Sequence, residues 1–129
     1  MEVTKSIDIE NAVRLALLPT FPNCYVRPLP ANFDTPCLLI TQVGGSELNT
    51  IDTADIVIDA RAELAEDASE LCRSAVAGLK AAIKAGDTPI RYLTVNSTGS
   101  WGADPVRPDL QMYSARLRVT VHQEVYRRT

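Results

Sequence analysis

Three acidic residues, Asp52, Asp55 and Asp59, stand close together in the sequence, and paired carboxylates are the usual equipment for acid/base chemistry. Their spacing argues against that use. Asp55 and Asp59 fall in an alternating polar and apolar stretch, TADIVIDARA, which has the period of a β-strand, and Asp52 directly precedes it. Four residues along a strand place the Cα atoms of Asp55 and Asp59 about 13 Å apart. That exceeds the separation at which two carboxylates share one bond. The single histidine, His122, falls on another alternating stretch beside Arg118, Thr120 and Glu124. One histidine with no nearby Cys or paired acid does not make a metal site, so it reads as a polar-face residue. Cys24, Cys37 and Cys72 are odd in number, widely spaced and set among apolar neighbours. They read as small core hydrophobes, with a Cys24–Cys37 disulfide as the alternative. No nucleophile elbow, phosphate-binding loop, dinucleotide fingerprint or Cys-x-x-Cys is present. Gly44-Gly45 leads into a reversal rather than a helix, so it is no phosphate cradle. No catalytic residue, metal ligand or cofactor site is assigned, and the expectation is a protein that is not an enzyme.

The elements that carry these residues follow from periodicity. Residues 7–18 place Ile9, Ala12, Val13, Ala16 and Leu17 on one stripe of a helix. Ser6 or Asp8 caps it, Asp8 and Glu10 suit its dipole, and Pro19 and Pro22 end it. A short edge strand over 24–27 precedes a proline-rich loop to residue 36. Residues 37–43 read as a buried strand that Gly44-Gly45 ends, with 46–53 as a longer reversal. In the next strand Ile56, Ile58, Ala60 and Ala62 share one face, and Asp55, Val57, Asp59 and Arg61 the other. A helix over 65–85 gathers Ala68, Leu71, Cys72, Ala75, Val76, Leu79 and Ile83, with acids at its start, lysines at its end and Gly86 as its cap. Strands over 89–96 and about 111–125 complete the chain. The last has Tyr113, Ala115, Leu117, Val119 and Val121 facing the core, and Ser114, Arg116, Arg118, Thr120 and His122 facing away. Residues 97–109 read as an irregular loop.

The order α-β-β-β-α-β-β implies an α/β (α+β) domain with a mostly antiparallel sheet and two helices on one face. At 129 residues it is one domain, large enough for a proper core. Hydrophobic residues make up 46% and charged residues 22%, in the range of soluble globular proteins, and no apolar run approaches the roughly 20 residues that span a bilayer. The polar opening MEVTKSIDIE does not read as a secretory signal. A net charge of -3 argues against a protein built to grip nucleic acid. Asp55 and Asp59, with Arg116 and Arg118, put complementary charges on the face that the helices leave open. Such a face suits self-association.

Three segments together carry a resemblance: PCLLITQVGG, ADIVIDARAELAEDASELCRSAVAGLKA and DPVRPDLQMYSARLRVTVH. In this order they resemble the tail terminator proteins of long-tailed (siphovirus-type) phages, the group of the lambda minor tail protein U. The resemblance covers most of the chain after residue 10. It is one of pattern, and no single motif in it is specific. It implies a virion protein, assembled in the host cytoplasm, that forms a homo-oligomeric ring, a hexamer in the family. The ring caps the tail tube, stops its polymerisation and meets the head connector, with DNA passing through the bore unbound. No membrane and no cofactor are implied. The family offers no active-site residues to carry over, so contact roles go by position to Asp55, Asp59, Arg61, Arg116 and Arg118, and to the 97–109 segment with Trp101, Arg107 and Asp109. Trp101 alternatively plugs one end of the core. Two other functions fit the same sequence: a head-completion or neck protein, and a small cytoplasmic ligand-binding domain or enzyme subunit.

Overall fold

The computed structural model describes residues 2–5, 7–48, 51–105, 107–122 and 124–127. Its elements are β1 (Glu2–Lys5), α1 (Ile9–Leu17), β2 (Cys24–Val26), β3 (Cys37–Leu48), β4 (Ile51–Ala62), α2 (Ala65–Ala85), β5 (Ile90–Ala103), β6 (Gln111–His122) and β7 (Glu124–Arg127). The main sheet has the strand order β2-β3-β4-β6-β5. β2 runs parallel to β3, and every other neighbouring pair in that sheet is antiparallel. The fold is α+β, with the helices and main-sheet strands in the expected order. β1 and β7 pair with each other as a separate two-stranded sheet, which the sequence reading did not anticipate.

The core forms where the two periodicities meet. Ile56, Ile58, Leu117 and Val119 are fully buried and pack with Val13 and Leu17 of α1 and Ala75 and Leu79 of α2. At α1 the Asp8 side chain accepts from the Asn11 N–H and caps the helix. α2 rises about 31 Å over its 21 residues, enough to carry the chain back along the sheet from β4 to β5. Gly86 ends it in the left-handed region at φ 77. The small residues Ala68, Cys72 and Ala75 let α2 lie close to the strands.

Four boundaries differ from expectation. β3 does not stop at Gly44-Gly45. A register shift between Gln42 and Gly44 absorbs one residue, and the strand continues to Leu48 opposite Ile51. β5 continues past Asn96 to Ala103, with register shifts between Val95 and Ser97 and between Ser97 and Ser100. The glycines and serines there tolerate bulges while still pairing with β6. The last long strand ends at His122 rather than running to residue 125. The expected 97–109 loop shrinks to the segment after Ala103.

Candidate functional site

The strand registers define the face away from the helices. Asp55 lies opposite Arg118, Val57 opposite Arg116, Asp59 opposite Ser114 and Arg61 opposite Met112. Across the next pair, Thr94 lies opposite Arg118 and Tyr92 opposite Thr120. Asp55, Asp59, Arg116 and Arg118 therefore share one face, as expected. Their states differ. The Arg118 Nε donates to Asp55 Oδ1 at 3.0 Å, so this pair satisfies itself within the subunit. Asp59 accepts from the Ser114 hydroxyl. Arg116 is exposed and makes no ion pair among the described residues.

Arg61 departs from expectation. Strand alternation puts it on the open polar face, yet it is only 7% exposed. The segment between β2 and β3 folds across that end of the sheet. Phe33, Cys37 and Leu110 form a second small core there, with Tyr25 and Leu29 packed on it. Cys37 lies directly opposite Arg61, so this cluster covers the arginine. The Arg61 Nε donates to Asp104 Oδ2 at 2.7 Å, a buried ion pair. Asp104 in turn organises the turn into β6. Its N–H donates to the Leu110 carbonyl, and its side chain accepts from the Arg107 N–H. Arg61 is thus structural and does not belong with the contact residues.

Arg107 and Asp109 do fall in an irregular segment, where they pair at 3.0 Å, and the Arg107 guanidinium lies over the Phe33 ring. Trp101 does not. It sits on β5, opposite Tyr113. At 59% exposure it plugs no core, and its Nε1 donates to Gln111 Oε1 at 2.8 Å. Trp101 and the 71% exposed Tyr92 both lie on β5, the strand at one edge of the main sheet. Tyr92 was missed by the sequence reading. Its signal was an aromatic residue within the solvent-facing half of an alternating strand.

Glu10 was also missed as a tertiary contact. Among the described residues β2 pairs with β3 only as far as Ile40, so later N–H groups of β3 have no strand partner there on that side. Glu10 Oε2 accepts from the Gln42 N–H at 2.7 Å and from Arg27 Nη2 at 2.7 Å. One carboxylate on α1 closes the edge of the sheet and holds the proline-rich segment.

The three cysteines are free and buried. Burial pushes the Cys24 thiol up to about 11 despite Arg14, and pushes Cys37 up to about 11 despite Arg61. Both are protonated at neutral pH and poor nucleophiles. Among the described residues no group of three or more His, Cys, Asp or Glu stands where it could hold a metal ion, and no helix is long and apolar enough to cross a membrane. The surface features that stand out are the open face around Arg116 and the β5 edge with its exposed aromatics. The sequence matches no protein-family model and no curated protein.

Proposed function

We propose that this protein is a phage tail terminator, a ring-forming virion protein that caps the tail tube and offers a surface to the head connector. The observation that carries this reading is the asymmetry of the sheet. Both helices bury one face, while the other presents Arg116, Thr120 and Tyr92 to solvent, and β5 leaves a long edge without a strand partner among the described residues. A subunit in a ring needs surfaces of this kind. The resemblance of three segments to tail terminators supports it further. On this reading the protein makes and breaks no bond. It occupies the end of a growing tube with a surface onto which the next tube subunit cannot add. Deleting the gene tests this. Tube polymerisation then continues unchecked, and negative-stain micrographs show tails of irregular, excessive length that fail to join heads. Tails of normal length rule the terminator out. Normal tails beside unjoined heads identify a neck protein instead.

A further inference from the structure

Two clefts share Phe21, Pro36 and Leu71 in their walls and so make one groove, with volumes of about 560 Å³ and 230 Å³. It runs between the first half of α2 and the segments flanking β2, on the β2 side of the molecule. Its floor is apolar. One wall carries Glu63, Asp67 and Glu70. Glu70 pairs with Arg73 on its own helix, whereas Glu63 and Asp67 have no ion-pair partner among the described residues. An apolar floor with unneutralised acids along one side calls for a segment that offers an apolar anchor next to a cation.

The chain carries such a segment at the opposite edge of the sheet. At the start of β5 the register shifts between Ile90 and Tyr92, so Arg91 is the extra residue of a bulge. Arg91 is exposed and unpaired among the described residues. Tyr92 beside it is the most exposed large hydrophobic residue described, at 71%. Tyrosine and arginine are the residue types that most often anchor protein contacts.

We propose that Arg91 and Tyr92 of one copy dock into the groove of the next copy, the phenol ring against Phe21 and Leu71 and the guanidinium between Glu63 and Asp67. The two surfaces differ and lie at opposite edges of one sheet. The contact is therefore head to tail, and an open chain of subunits keeps one knob free at one end and one groove free at the other until it closes. Closure into a ring, rather than open growth, rests on the terminator reading above.

Two variants of the full chain test it by sedimentation velocity across a concentration series. A knob variant carries Arg91→Ala and Tyr92→Ala, and a groove variant carries Glu63→Arg and Asp67→Arg. All four positions are exposed, and unchanged circular dichroism confirms folding. The wild type associates beyond the dimer. Each variant alone loses at least tenfold in association constant. An equimolar mixture of the two restores one contact only, between the intact groove of the first and the intact knob of the second, and stops at the dimer. A wild type that is monomeric at every concentration, a variant that assembles like the wild type, or a mixture that grows past the dimer overturns the contact. Tail lengths in the gene deletion decide the terminator reading separately. Overlong tails with fully assembling variants overturn this contact alone, and normal tails with capped dimers overturn the terminator alone.

Discussion

At the residue scale the buried charges decide most. Arg61 and Asp104 are both almost wholly removed from water, with side-chain exposures of 8% and 1%. Removing one partner of such a pair strands the other charge in the interior. Asp104→Ala is therefore expected to cost about 3–5 kcal/mol in chemical denaturation, whereas replacing the exposed Asp109, whose pair with Arg107 is open to solvent, costs under about 1 kcal/mol. Equal costs for the two would show that Arg61 finds compensation elsewhere. The buried thiols give a second prediction, with a sign. Cys24 and Cys37 rise from an ordinary 9.0 to about 11 because the folded state desolvates the thiolate. Between those values the folded state holds protons that the unfolded chain has released. The stabilisation is thus complete below pH 9, falls as pH rises from there, and is lost through pH 11. A urea midpoint that stays flat from pH 8.5 to 10.5 contradicts this. Alkylation of native Cys24 and Cys37 at pH 8, followed residue by residue, should be on the order of a hundredfold slower than in urea, from the thiolate fraction alone.

At the element scale the β3–β4 hairpin depends on backbone approach rather than on side chains. A Cβ at Gly45 would stand 2.5 Å from the Thr53 carbonyl oxygen, while one at Gly44 would meet only the Asp55 carboxylate, at 3.5 Å. Gly45→Ala is expected to destabilise by about 1–3 kcal/mol, and Gly44→Ala to remain within about 1 kcal/mol. Equal melting shifts for the two would mean that the hairpin adjusts its register freely. The same glycines show where sequence reading stops. The period of α2 and its Gly86 cap were legible because one helix face repeats over 21 residues. The faces of β4 and β6 were legible because alternation is strict there. Gly44-Gly45 reads as a chain reversal and the Gly- and Ser-rich run of β5 as part of an irregular loop, because bulged pairing leaves no periodic signal. The four-residue strands β1 and β7 are too short to carry one. Arg61 was misplaced for another reason. Alternation tells which way a side chain points, but not that a proline-rich segment distant in sequence folds over it.

At the scale of the whole molecule the distribution of satisfied and unsatisfied charge sets what the open face can bind. Arg118 already has its carboxylate in Asp55, and Asp59 has Ser114, so neither needs a partner from another molecule. Arg116 lies between these rows, directly opposite Val57 and Ser97, and the acids at its diagonal positions, Asp55 and Asp59, are already engaged by Arg118 and Ser114. An exposed cation beside a half-buried valine, on a face without helices, is the place where a second molecule gains most by contributing a carboxylate. Reversing Arg118 instead sets two acids opposite each other and acts mainly on the fold, by under about 1 kcal/mol. The two arginines, four-square on one strand and alike in sequence, should thus separate under mutation. On the proposed terminator reading, Arg116→Glu should leave the denaturation midpoint nearly unchanged and lower the occupancy of tube ends at least tenfold, scored as capped ends in micrographs of purified tubes titrated with the protein. Arg118→Glu should lower the midpoint slightly and bind tube ends within about threefold of the wild type, since about 0.6 kcal/mol separates the two at that ratio. A reversed ranking would mean that the Asp55–Arg118 pair opens on binding. Arg118, rather than Arg116, would then be the arginine that a second molecule engages on this face.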